Sequence, residues 1–213
     1  MDAVRRAARV LRRLVAHELR GFHSLALWVA RRRHGLGAGA RPAAYTGPQT
    51  ALLFGFGFVA VVETVVLALI VPWPAVHAAF LFVDVYTVLQ IVALHAACVT
   101  RPHVVGADGS LRVRYGQFLD LRIPAADIER VRVERRYPEG RNVQVHDDGT
   151  LDVSVGSQTT VTVELARPVG FVRPMGLRAR ARVVRLHADE PRALVDALTP
   201  ERTAPAPAPD PLG

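Results

Sequence analysis

The stretch that decides the architecture is Ala51–Val71, ALLFGFGFVAVVETVVLALIV, followed after Pro72-Trp73-Pro74 by Ala75–Thr100, AVHAAFLFVDVYTVLQIVALHAACVT. Each run carries a single formal charge, Glu63 in the first and Asp84 in the second, and neither contains arginine. A helix needs ~20 apolar residues to cross a hydrocarbon layer of ~30 Å, so both are long enough to span. Three residues between them leave room only for a turn. Residues 50–100 therefore predict a two-helix transmembrane hairpin.

Charge divides the chain around that hairpin. Residues 1–50 hold ten arginines against Asp2 and Glu18, a net of +8, while residues 101–213 have a net of only +2. All 27 basic residues are arginine, a usage that codon bias explains as readily as chemistry. Ten arginines precede the first span, Arg101 follows the second at once, and the turn has none. Under the positive-inside rule both termini are expected in the cytoplasm and the protein in the cell membrane with two spans. No cleavable leader is visible, because the first apolar run begins near residue 51 and lacks a small-residue cleavage pattern. The single thiol, Cys98, excludes an internal disulfide and a cysteine-based metal cluster within one chain.

Between Val4 and Ala30 apolar residues recur at helical spacing, with Arg5, Arg6, Arg9, Arg12, Arg13 and Arg20 on the other faces. Arg31-Arg32-Arg33 closes this arm, which spans residues 1–34. A basic amphipathic helix beside a span suits the surface of an anionic leaflet, with Arg5, Arg9, Arg12, Arg31, Arg32 and Arg33 on lipid headgroups. The same pattern fits a helix packed on the rest of the protein with solvated arginines. Gly and Pro make residues 35–49 a flexible connection.

From His103 the period changes to two. Leu111–Tyr115 alternates, Gly116-Gln117 fits a two-residue turn, and Phe118–Arg122 returns. Ile128–Glu134 alternates again; Val143–His146 and Leu151–Val155 flank Asp147-Asp148-Gly149 as a second hairpin; Thr160–Leu165 and Arg178–Leu186 follow. A final helix over 190–198 opens with Asp189 as its cap and Pro191 at an early position. Residues 200–213, rich in proline, are expected to be disordered. The fold class is thus α+β, a helical hairpin followed by an antiparallel β domain over 101–199 with a C-terminal helix.

Six or seven short strands closed by one helix is the order of a pleckstrin-homology-like (PH-like) domain. The segment LRVRYGQFLDLRIPAADIERV, Leu111–Val131, resembles the start of bacterial membrane-tethered PH-like domains, which often follow a two-helix hairpin. The chain is also similar to a group of uncharacterised two-helix membrane proteins of actinobacteria, through this RYG hairpin, the SQT-T-VTVEL strand and the DEPRAL helix. The resemblance covers roughly residues 50–199. It implies a fold and a place at the membrane, and no reaction.

Glu63 and Asp84 each lie ~12–14 Å from the turn at 1.5 Å per residue, at nearly equal depth. Ionised carboxylates at mid-bilayer cost at least ~2.5–3.5 kcal/mol each, so a shared proton or a hydrogen-bonded partner is expected. At 100° per residue His77, Asp84 and His95 fall on one helical stripe. Two readings stay open for this polar layer of Glu63, Asp84, His77 and His95: helix packing or oligomer closure, and a proton or ion relay.

On the β domain Arg178, Arg180 and Arg182 share a strand face that suits anionic lipid headgroups, although any half-solvated strand alternates in this way. Asp147, Asp148 and Asp152 do not have the spacing of a calcium loop. No nucleophile elbow, zincin pair or phosphate-cradling loop is present, so catalytic residues, metal and cofactor are all expected to be absent. Nucleic acid is not expected either, since no aromatic clusters accompany the basic charge. The expected partners are the lipid bilayer, anionic headgroups and a protein, including a second copy of the chain. The expected role is a non-enzymatic scaffold or regulatory subunit. The alternatives are a small transporter or channel subunit using Glu63 and Asp84, and an anionic-lipid sensor.

Overall fold

The computed structural model describes residues 19, 21–32, 34–173 and 177–199. Arg5, Arg9, Arg12, Arg33, the arm up to residue 18 and the tail from residue 200 lie outside the described residues. Two long helices dominate the first half, α1 (Gly47–Ile70) and α2 (Pro74–Thr100). Each has proline in its first turn, where the missing N–H goes unused and the fixed φ suits a helix. Pro72 also disfavours helical backbone at Val71, which is extended and turns the chain at once. At 1.5 Å per residue the helices are ~36 and ~40 Å long. Both are long and apolar enough to cross a membrane, and their apolar windows are not buried inside the protein.

Nine strands form among the described residues: β1 (Arg41–Ala43), β2 (His103–Val105), β3 (Leu111–Tyr115), β4 (Leu119–Ile123), β5 (Ile128–Arg136), β6 (Val143–Val145), β7 (Thr150–Val153), β8 (Thr159–Val172) and β9 (Arg178–Leu186). One sheet has the order β1-β2-β3-β4 and the other β5-β8-β9-β7-β6. A one-turn 3-10 helix, Ala125–Asp127, carries the chain from the first sheet to the second. Helix α3 (Pro191–Leu198) inserts Leu194 into the core. Period-two alternation puts Leu111, Val113, Leu121 and Ile123 of the first sheet into one core with Leu151, Val161, Val163, Val184 and Leu186 of the second, all at most 1% exposed.

Three features depart from expectation. Residues 41–43, within the stretch read as a flexible connection, are paired as β1 in register Arg41↔Val105 to Ala43↔His103. The reason is Tyr45, whose ring is 1% exposed in the core and draws the preceding residues onto the sheet edge. The second sheet is mixed, because β7 runs parallel to β9 with Leu151 opposite Val184. The β3–β4 loop has three residues, Gly116–Phe118, since Tyr115 pairs with Leu119.

Residues 21–29 of the arm are helical and pack on the last turns of α2. A Cβ on Gly21 would lie 3.8 Å from the Ala93 Cβ, and Trp28 meets His95 edge-on with centroids 5.8 Å apart. Ser24 is fully buried. This described part of the arm therefore rests on the helical hairpin.

Candidate functional site

The part of the molecule richest in buried polar chemistry is the junction where the arm, both long helices and the β domain meet. Its centre is Tyr45. The Tyr45 hydroxyl accepts the Gly116 N–H at 2.8 Å, and its ring lies 4.6 Å from His103 and 6.2 Å from Tyr115. Burial, reinforced by the neighbouring Cys98, pushes the Tyr45 phenol well above its ordinary pKa, so it stays neutral. Gln49 of α1 donates to the Cys98 Sγ of α2 at 3.8 Å, tying the two helices together beside it. Gly116 has φ +49°, a conformation that favours glycine, and a Cβ there would press on the Cys98 Sγ at 3.3 Å.

His103 links three segments. Its Nδ1 accepts the Arg114 backbone N–H at 3.0 Å, and its Nε2 lies 3.0 Å from the His187 carbonyl. A backbone N–H only donates and a carbonyl only accepts, so the ring is the neutral tautomer with its hydrogen on Nε2. Burial pushes its pKa down to about 4, which agrees with that state.

Asp189 anchors α1. Both carboxylate oxygens accept the Gly47 N–H, at 3.0 and 3.2 Å, and its own N–H donates to the Ala44 carbonyl at 2.9 Å. An anion at the first turn of a helix meets unpaired N–H groups and the positive end of the macrodipole. A Cβ on Gly47 would lie 2.8 Å from Asp189 Oδ1, so glycine is what permits the approach. This corrects the assignment of Asp189 as cap of α3: Glu190 occupies that position and makes no side-chain cap bond. His187 lies 3.4 Å from Asp189 Oδ1. Burial lowers its pKa, against the opposing pull of Asp189.

Arg114 holds the other end. Its guanidinium donates to the His34 carbonyl at 2.9 Å and the Gly35 carbonyl at 3.5 Å, while the His34 N–H donates to the Thr100 carbonyl at 2.8 Å. The Thr100 carbonyl at the end of α2 and the His34 and Gly35 carbonyls of the arm thus find their donors at this one crossing. The side chain is only 2% exposed although alternation marks it as half-solvated; its neighbour Arg112 pairs with Asp120 in the open.

The residues expected to form a polar layer are only partly brought together. Thr64 Oγ1 lies 3.0 Å from Asp84 Oδ2 and 2.8 Å from the Ala60 carbonyl of its own helix, two acceptors that share its single hydroxyl hydrogen. Glu63 is exposed, one position round the helix from Thr64, so it does not face Asp84. The expected Glu63–Asp84 pairing is replaced by Thr64–Asp84 because 100° per residue turns Glu63 out when Thr64 faces in. His77 borders the same crevice as Asp84, while His95 lies at the far end of α2 between Trp28 and Phe54. Arg31 and Arg32 are exposed, and Arg178, Arg180 and Arg182 share an exposed face of β9. Asp148 caps its own turn through Thr150, and Asp152 is buried against His146 at 2.7 Å. The sequence does not reveal the part that Tyr45, Arg114 and His103 play in this junction. A lone tyrosine in a Gly/Pro-rich connection was the only signal for the first, and the partners of the other two are remote in sequence.

Compared with known proteins, the chain matches no family model, no curated protein and no solved structure.

Proposed function

We propose that this protein is a membrane-anchored, PH-like β module that acts as a non-enzymatic scaffold or regulatory subunit at the cytoplasmic face of the cell membrane. The observation that carries the reading is the locked junction: Asp189 on α1, Tyr45 on the β3–β4 loop and Arg114 on the arm bind the hairpin and the β domain into one piece. A domain tied in this way keeps a fixed face toward the bilayer and presents the other to a partner. The C-terminal helix and two-sheet core favour the PH-like reading, although the parallel β7–β9 pair is not part of the expected all-antiparallel pattern. Arginine on both flanks of the hairpin and none in its turn supports cytoplasmic termini.

The transporter reading loses its main support, since Glu63 points outward and Asp84 is already hydrogen-bonded to Thr64. Cross-linking in cells, followed by detergent extraction and mass measurement of the intact complex, tests the scaffold. A stoichiometric protein partner or a defined homo-oligomer supports it. A lone monomer that moves ions or solutes in proteoliposomes would replace it.

A further inference from the structure

Along the seam of α1 and α2 runs an apolar groove of about 290 Å³, near the low end of the ~300–1,000 Å³ usual for small-molecule sites. Its walls alternate at helical spacing, Phe54, Gly57 and Val61 on α1 facing Val88 and His95 on α2, with Trp28 of the arm closing one end. Seven residue steps on each helix, Phe54 to Val61 and Val88 to His95, make it ~10 Å long, parallel to the helix axes. The groove exists because Gly57 leaves space: a Cβ there meets no atom within 4 Å.

One polar group is out of keeping with this lining. His95 is 8% exposed, lines the groove, and its Nδ1 has no hydrogen-bond partner among the described residues. An unpaired buried polar atom costs ~1–3 kcal/mol, so a ligand offering one hydrogen bond at that end is favoured. The position says which ligand. His95 lies 21 residues beyond Pro74, ~31 Å along the axis, where a hydrocarbon layer of ~30 Å measured from the turn comes to its boundary. Burial changes there too: residues 78–83 are exposed, whereas Ala93, His95, Ala96, Ala97 and Cys98 are buried in protein. The groove thus runs from the depth of ester carbonyls toward the bilayer centre, with its polar group at the headgroup end. Arg31 and Arg32, exposed one turn beyond Trp28, supply positive charge on that side.

We propose that the groove holds one acyl chain of a bilayer glycerophospholipid, with the lipid's ester carbonyl accepting a hydrogen bond from the His95 imidazole. The lipid fills the seam between the helices and joins the arm to the hairpin through Trp28. This inference rests on the membrane-anchored reading, and the two fail separately. A full-length protein that stays soluble and monodisperse without detergent refutes the anchoring; a detergent-dependent protein that retains no lipid refutes only the groove.

The test is native mass spectrometry of the full chain in detergent, with dioleoylphosphatidylglycerol or oleate added at equal concentration. Wild type is expected to retain one phospholipid, and Gly57→Phe, which fills the groove, to lower occupancy about fivefold or more, as is His95→Phe through loss of the hydrogen bond. His95→Gln keeps a donor and retains the lipid. Val85→Phe, at an exposed position outside the groove, leaves occupancy unchanged. Retention equal in wild type and Gly57→Phe would mean only loosely surrounding lipid and overturns the proposal. Preferential retention of oleate overturns the assignment to a glycerophospholipid.

Discussion

The Asp189 carboxylate holds the first N–H of α1, at Gly47, across 142 residues of sequence. One acidic side chain from the β domain thereby fixes where an apolar helix begins and at what angle it leaves the domain. Removing a helix cap costs ~0.5–2 kcal/mol, and the charge adds to the macrodipole term. Asp189→Ala is expected to lower unfolding stability in detergent by ~1–2 kcal/mol, with Asp189→Asn intermediate because the amide oxygen still accepts. Gly47→Ala should destabilise by a similar amount through its clash with the same carboxylate, although alanine is the better helix former. An unchanged melting curve for all three would mean that the contact contributes nothing.

The buried His103 gives stability a definite pH dependence. Its folded pKa of about 4 lies below the ordinary 6.5, so between those values the unfolded chain binds more protons. Stability is fully present above pH 6.5 and is lost as pH falls toward 4, by on the order of 3 kcal/mol for this group. His187 and His34, both lowered by burial, act in the same direction. Urea unfolding at pH 7 and pH 5 should show the loss in wild type, and His103→Gln should show a smaller difference between the two. Equal pH differences in both would exclude His103 as the source.

Arg114 governs the arm. Arg114→Met keeps the apolar stem in its buried slot but leaves the His34 and Gly35 carbonyls without their donor. Trypsin should then cleave at exposed Arg31 and Arg32 at least ~3-fold faster than in wild type, as local opening replaces a charged hydrogen bond. The β domain, timed by cleavage at Arg178, should remain as resistant as before.

Within the hairpin, Thr64 and not Glu63 is the partner of Asp84. Thr64→Val is expected to loosen the pair of helices and lower the melting temperature in detergent, while Glu63→Gln and Glu63→Leu differ little from wild type. If Glu63→Leu proves the damaging change, Glu63 has a partner outside this chain.

The sequence makes local regularities legible and leaves distant ones unread. Two uninterrupted apolar runs and Pro72-Trp73-Pro74 suffice for the helices and their turn, and alternation in Leu111–Tyr115 or Arg178–Leu186 suffices for strands. Strand β1 escapes because three residues including Pro42 carry no period, and only the burial of Tyr45 commits them to the sheet. The parallel β7–β9 pair depends on register between residues 33 apart, as in Thr150↔Val183, which no local pattern encodes. The depth of Glu63 and Asp84 follows from counting residues, but their facing depends on rotation about each helix, and one residue of rotation substitutes Thr64 for Glu63. Asp189 looks like a cap for the helix it precedes, and its choice of α1 is visible only once the domain is folded.

The central claim, a hairpin that crosses the membrane with the β domain fixed on the cytoplasmic side, is tested most directly by single-cysteine labelling. Cys98 is the only native thiol, so a Cys98→Ala background is free of cysteine. Trp73→Cys in the exposed turn and Val133→Cys on the exposed part of β5 then report on the two sides. With a membrane-impermeant maleimide, the turn is expected to label in intact cells and β5 only after permeabilisation. Labelling of both positions in intact cells, or of β5 alone, would contradict the topology and the anchoring built upon it.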